Sequence, residues 1–186
     1  MKAIIDTSIL THLRLAKELG VLVELYEELR ATPTMYEEIS KDYHRDIRNL
    51  VDIVVKPIDF SQTLEGNLYG NKKRFDRLVE KWKKKTDLKD QVDVEVLVAF
   101  IYYTNHIDWE MVFANKEARN KFSRYIQQFG ESKIRDITDL PKLACDAGLW
   151  DAKRCVQYLE HLQKAKYNTS QVRENLKFYK RLEKET

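Results

Sequence analysis

Short apolar runs alternate with helical stretches along this chain, and that alternation limits its folds more than any other feature. Residues 2–5, 30–32, 51–57, 110–114 and 133–137 read as strands, the third closing on Pro57. Around them, apolar residues recur at helical intervals. Ile9, Leu13, Ala16 and residues 19–22 mark a first helix punctuated by Gly20, and residues 21–29 a second. Pro33 opens another, with Thr34 and Glu37 at capping-box spacing. Residues 58–70 read as a loop, and 71–85, 92–103 and 116–129 as helices, the last closed by Gly130. Three more helices, 139–147, 151–164 and 170–183, complete the chain. Strands interleaved with helices predict an α/β fold around a central, mostly parallel sheet of about five strands. Residues 1–148 would form this domain, with a basic helical insertion at 71–85, and 149–186 would add helices packed on the same domain.

Composition narrows the class. The 186 residues are 43% hydrophobic and include ten Tyr, seven Phe and three Trp, enough for one sizeable core and too many for disorder. Five Gly and three Pro exclude a fibrous or linker-rich chain. The first residues reach Asp6 after three apolar ones, too short for the core of a secretory signal. No run of about 18 apolar residues is present to cross a membrane, and a cytoplasmic protein is expected. Cys145 and Cys155 lack zinc or redox-motif spacing and are expected as buried free thiols. His12, His44, His106 and His161 are scattered without paired ligand spacing, and no Ser-His-Asp arrangement accompanies them. Structural or surface roles are expected for all four.

In parallel α/β sheets, ligands collect beyond the carboxyl ends of the strands. Asp6 follows the first strand, Glu38 lies early in the helix after the second, Asp93 begins the apolar helix before the fourth, and Asn115 follows the fourth. The topology therefore brings three carboxylates and an amide to one end of one sheet. Each has a local alternative: Asp6 and Asp93 as helix caps, Glu38 as a surface residue. Together they suit a hard divalent cation, which prefers carboxylate oxygen and water and can activate that water against a phosphodiester. Asp93 shares a helical face with Val96, Leu97 and Phe100, so its side chain is expected toward the interior, whereas Glu95 should point the opposite way, solvated or in a supporting role.

These residues carry a resemblance. Ile4-Ile5-Asp6-Thr7-Ser8-Ile9-Leu10 resembles the opening of a PIN-domain nuclease. Thr32-Pro33-Thr34-Met35-Tyr36-Glu37-Glu38-Ile39 is similar to that family's second acidic motif, and Val92-Asp93-Val94-Glu95-Val96-Leu97-Val98-Ala99 to its third. Val112-Phe113-Ala114-Asn115-Lys116-Glu117-Ala118-Arg119 resembles the fourth, and the helical tail resembles the VapC-like branch. The resemblance implies a Rossmann-like α/β/α sandwich and a ribonuclease site dependent on Mg2+ or Mn2+. It also implies a small antitoxin and a homodimer as partners, and includes members that have lost activity. Asp6 and Asp93 would anchor the ion, with Glu38 binding directly or through water. Asn115, with Thr7 and Ser8 in support, would position water or phosphate oxygens. Asn115 stands where the family has aspartate and brings no charge, so a second ion would be held poorly. Asp108 and Asp146 are candidate substitutes.

A second feature concerns the polyanion itself. Lys72, Lys73, Arg74, Arg77, Lys81, Lys83, Lys84 and Lys85 crowd one helix and are opposed only by Asp76 and Glu80, a local charge of +6 in a chain whose total is +3. Phe75, Leu78, Val79 and Trp82 would anchor its other face. The basic face is either a solvated surface or a phosphate-binding surface for RNA. In the last helix, Val172, Leu176, Tyr179 and Leu182 either pack on their own domain or receive a partner. The sequence thus supports a metal-dependent endoribonuclease, with a catalytically weak or inactive RNA- or protein-binding module as the alternative. A DNA-directed nuclease is the third, since a phosphodiester site alone does not choose the sugar.

Overall fold

β1 (Lys2–Ile5) lies in the middle of a five-stranded, all-parallel sheet of order β3-β2-β1-β4-β5. Its Ala3, Ile4 and Ile5 are buried, as a strand covered on both faces requires. β2 (Glu28–Ala31) and β4 (Trp109–Phe113) flank it, with Ile4 opposite Arg30 on one side and Met111 on the other. β3 (Val55–Pro57) pairs outside β2 and β5 (Ile134–Asp136) outside β4. Pro57 can donate no ladder hydrogen bond, which suits the outermost position of β3. The computed structural model describes residues 1–41, 55–58, 72–104, 107–114, 116–129, 133–167 and 169–185.

Nine α-helices are described: α1 (Thr7–Leu15), α2 (Gly20–Leu25), α3 (Pro33–Lys41), α4 (Lys72–Lys83), α5 (Gln91–Tyr103), α6 (Lys116–Ile126), α7 (Leu140–Asp146), α8 (Ala152–Lys164) and α9 (Ser170–Glu185). From β1 the chain steps through β2 to β3, then crosses to β4 and continues outward to β5. Right-handed crossovers in opposite directions place their helices on opposite faces. Accordingly α4, α5 and α6 pack together, while α1 and α2 meet α8 and α7. One apolar cluster, from Ala3 to Tyr179, joins sheet and helices.

Several local expectations change. The first helix stops at Leu15, where Lys17 turns the backbone left-handed (φ 59°), and the second starts at Gly20 and ends by Leu25 because β2 begins at Glu28. The capping box is absent: Pro33 is the first residue of α3, so Thr34 already lies inside the helix. Its amide and hydroxyl instead donate to Glu95 at 3.0 and 2.6 Å. Glu95 is therefore buried rather than solvated, and it also accepts from Gln91 Nε2 at 2.8 Å. Residues 51–54 of the expected third strand, most of the expected 58–70 loop and Gly130 lie outside the described residues.

The closing helices are tied to the body by a buried acid. Glu18, between α1 and α2, accepts two hydrogen bonds from the Arg154 guanidinium at 3.0 and 2.6 Å, and His161 Nδ1 lies 2.6 Å from it. Val172, Leu176 and Tyr179 of α9 are buried and α9 packs on α8, so these three make an internal contact, whereas Leu182 is exposed. Glu18→Ala leaves Arg154 without its counter-charge. Because Arg154 keeps partial access to water, the loss is expected at the low end for a broken buried pair, about 3 kcal/mol, read from urea unfolding at pH 7.

Candidate functional site

The strand order reverses direction at β1 and β4, and the chain leaves their carboxyl ends toward opposite faces. Such a switch point leaves an open crevice. A cavity of about 410 Å³ in this structure is lined by residues that follow or face those strand ends. The turn after β1 contributes Asp6, Thr7 and Ser8, α3 contributes Glu38, the start of α5 contributes Asp90 and Asp93, and α6 contributes Glu117 and Lys121.

Asp6 is fixed by the start of α1. Its Oδ1 accepts the Ile9 N–H at 2.9 Å as the helix N-cap, and its Oδ2 accepts the Ser8 hydroxyl at 2.6 Å. Its own amide donates to the Val112 carbonyl at 3.4 Å, tying the end of β1 to β4. The cap and the cavity wall are thus the same carboxylate. Thr7 Oγ1 donates to Glu38 Oε2 at 2.9 Å, which links α1 to α3 across the cavity. Asp90, not Asp93, caps α5: its Oδ1 accepts the amides of Val92 and Asp93 at 2.8 and 3.4 Å. The Asp93 carboxylate is thereby left for the cavity, half-buried.

The electrostatics follow from this crowding. Burial, reinforced by the Asp93 charge, pushes the Asp6 carboxyl up to about 6 against the opposing hydrogen bonds from Ser8 and Ile9. Asp93 is also raised, by burial first and the Asp90 charge second, with Lys121 opposing. Both acids hold protons above their ordinary range chiefly because burial disfavours the charged form, with the neighbouring carboxylates adding to it. All the side-chain donors from Asp6, Glu38, Asp93, Thr7 and Ser8 are oxygens, which is the chemistry that Mg2+ or Mn2+ accepts. Among the described residues, however, no three His, Cys, Asp or Glu side chains are gathered closely enough to hold an ion as they stand.

Of the residues expected from sequence, Asp6, Thr7, Ser8, Glu38 and Asp93 share this cavity. Asn115 lies outside the described residues. The candidate substitutes do not join the cavity: Asp108 precedes β4 at the opposite end of the sheet, and Asp146 pairs with Lys142 on an exposed face of α7. Asp90, Glu117 and Lys121 were not anticipated. Glu117 and Lys121 stand four apart on α6, their charged atoms 3.9 Å apart. Arg119, on another side of α6, turns instead to Asp139 at 3.1 Å beside β5.

The basic residues sit on α4 and the turn after it. Phe75 and Val79 are buried, and Leu78 and Trp82 pack half-buried against the core, as the spacing predicts. Lys72 pairs with Asp76 at 3.3 Å and Lys83 with Glu80 at 3.5 Å. Lys73, Arg77, Lys81, Lys84 and Lys85 have no ion-pair partner among the described residues, whereas Arg74 has contacts of its own. Arg77, Lys81, Lys84 and Lys85, together with Asp76 and Glu80, line an open groove of about 590 Å³. Seven residues then lead from α4 to α5, whose first turn carries Asp93.

No family model, curated protein or solved structure matches the chain. Among the described residues, no helix is long and apolar enough to cross a membrane.

The raised Asp6 value has a testable sign. A carboxyl held up to about 6 when folded binds its proton more tightly than in the unfolded chain. The resulting stability is fully present below the unfolded value near 4 and is lost as pH rises through about 6. Asparagine preserves the helix cap and carries no charge. In metal-free buffer, Asp6→Asn should therefore be more stable than the parent at pH 7 by roughly 2–3 kcal/mol, with the advantage vanishing near pH 4. Urea unfolding across this range measures it; equal stability of the two proteins at pH 7 would contradict the electrostatic account.

Proposed function

We propose that this chain is an endoribonuclease that hydrolyses RNA phosphodiester bonds with Mg2+ or Mn2+, in the manner of the PIN-domain nucleases its motifs resemble. The observation that carries the proposal is the cavity at the β1/β4 switch point, where Asp6, Glu38 and Asp93 arrive from three separate elements. Asp6 and Asp93 are there at an electrostatic disadvantage that a bound cation removes. Carboxylates whose proton affinity is raised by burial in a crevice mark a candidate functional site, and this supports the reading.

Asp6, Glu38 and Asp93 would hold the ion. When bound, Mg2+ or Mn2+ supplies Lewis-acid polarisation of a phosphoryl oxygen and lowers the pKa of water. The Ser8 hydroxyl and Ile9 amide keep Asp6 oriented, and Thr7 does the same for Glu38. Asp6 must lose its proton before it can ligate, so cation affinity should weaken below pH about 6. Lys121 offers an ammonium at the cavity wall to a phosphate oxygen. No covalent enzyme intermediate is required. Arg77, Lys81, Lys84 and Lys85 would follow the RNA backbone toward the cavity, with Lys72, Lys73, Arg74 and Lys83 adding to the same field. An antitoxin and a second copy of the chain belong to the proposal through the resemblance, and Phe178, more than half exposed on α9, is an apolar residue that either could cover. A cytoplasmic location belongs to the same proposal.

One observation favours the second reading, a binding module without catalysis: the acids are not yet gathered, and Asn115 brings no fourth charge. A cleavage assay separates the two. With Mg2+ or Mn2+, the parent should cut single-stranded RNA in preference to DNA, and Asp93→Asn, which removes a direct ligand, should lower the rate by at least the roughly 100-fold upper end for loss of an outer-shell partner. RNA binding without cleavage by either protein would favour the binding module.

The groove has its own test. Charge reversal of Lys81, Lys84 and Lys85 to Glu should weaken RNA binding and flatten its salt dependence by about three counter-ions' worth of slope, while leaving the folding midpoint nearly unchanged. Unaltered affinity and slope in a fluorescence-anisotropy salt titration would remove this helix from the RNA path.

A further inference from the structure

Cys145 lies near the end of α7 and Cys155 in the first turns of α8, and their Sγ atoms are 2.9 Å apart. Both are free thiols. A disulfide is about 2.05 Å long, so the two sulfurs need to close by only ~0.9 Å to bond. Their surroundings differ in a useful way. Cys155 is fully buried and its thiol faces the Pro141 carbonyl oxygen at 3.6 Å. Burial, and then the neighbouring Cys145, push that thiol far above the ordinary range, so it stays protonated. Cys145 is partly exposed, so of the two residues it is the one nearer solvent. Among the described residues no third ligand joins them to make a metal site.

We propose that Cys145 and Cys155 form a redox-responsive pair that closes to an intramolecular disulfide when a hydroperoxide reaches Cys145. Cys145 gives up its proton and its thiolate attacks a peroxide oxygen; the O–O bond breaks, and with hydrogen peroxide the departing hydroxide takes up the proton that the thiol released, leaving Cys145 sulfenic acid and water. The Cys155 sulfur then attacks the Cys145 sulfur, the S–O bond breaks, and the departing hydroxide takes the Cys155 proton as a second water. Two thiols have lost two electrons and two protons, and one peroxide has become two waters. Reversal needs a thiol reductant.

The bond would close a corner that already carries strategic contacts. Gly148, between α7 and α8, holds φ at +69°, and the amides of Gly148 and Leu149 return to Cys145 and Ala144 as the α7 terminus. Arg154, next to Cys155, stacks on Trp150 at 4.2 Å and reaches Glu18 between α1 and α2. A covalent link across this corner fixes the element that fastens the closing helices to the sheet layer. It does not depend on the proposed nuclease activity.

The test uses the full chain, first reduced and desalted, then treated with hydrogen peroxide at a low molar excess. Denaturing alkylation with N-ethylmaleimide and intact-mass analysis should show two adducts before treatment, none after, and a mass lower by two hydrogens in a species that runs as a monomer without reductant. The oxidised protein should melt higher than the reduced one by roughly 5–10 °C. Cys155→Ser should gain oxygen on Cys145 rather than lose two hydrogens, and its melting point should not rise on oxidation. Two alkylatable thiols in the treated parent, or oxygen added to Cys145 while Cys155 still alkylates, would overturn the proposal. The parent protein alone decides this should the variant fail to fold.

Discussion

β1 pairs in parallel with β2 on one side and β4 on the other, and the strands leave it in opposite directions across the sheet. That arrangement prevents the connecting segments from covering the carboxyl ends of β1 and β4. The turn after β1 must begin a helix there, so its first residue must cap that helix, and Asp6 does. The same position lies at the lip of the crevice. A residue chosen to satisfy orphan amides of α1 is therefore also pointed at whatever the crevice receives. Glu38 and Asp93 reach the same space because Glu95, buried in the first turns of α5, holds the first turn of α3 by its amide and hydroxyl. α3 and α5 are locked at their starts, and the two acids they carry follow.

This placement is electrostatically unfavourable. Burial raises the proton affinity of both Asp6 and Asp93, and the charges of Asp93 on the one and Asp90 on the other add to it. Lys121, four residues beyond Glu117, offsets part of the charge at the wall. A core that wanted stability alone would replace these acids. They line a cavity at the switch point, and the proposed cation would offset their charge there. Charge is unevenly divided along the chain: residues 72–85 carry +6 and the remainder −3.

Much of this was legible before any coordinates. Central parallel strands are buried on both faces and so appear as unbroken apolar runs, which is why Ala3-Ile4-Ile5 and Met111-Val112-Phe113 were visible. The anchoring face of α4 was visible because its opposite face is uniformly charged, giving a clear period. α5 defeated the same logic. Val94, Val96, Leu97, Val98, Ala99 and Phe100 are all buried, so the helix has no solvent side, and a helical wheel could not show that Glu95 is held inside by α3. The start of α3 was misjudged because Pro33 occupies the first helical position and shifts Thr34 inward. Glu117 and Lys121 carried no signal: on a polar helix, sequence does not tell which charged pair faces a cavity. The sulfur contact between α7 and α8 was equally invisible, since a spacing of ten residues becomes proximity only when the two helices fold back at Gly148.

The account's central claim is that the acids at the β1/β4 crevice form a divalent-cation site. Crystals of the protein soaked in Mn2+ and measured at the manganese absorption edge test it most directly. An anomalous peak within coordination distance of Asp6 and Asp93, with Glu38 turned toward it, is the expected result. A fully soaked crystal with no peak in that cavity, or with manganese bound only elsewhere, would contradict it.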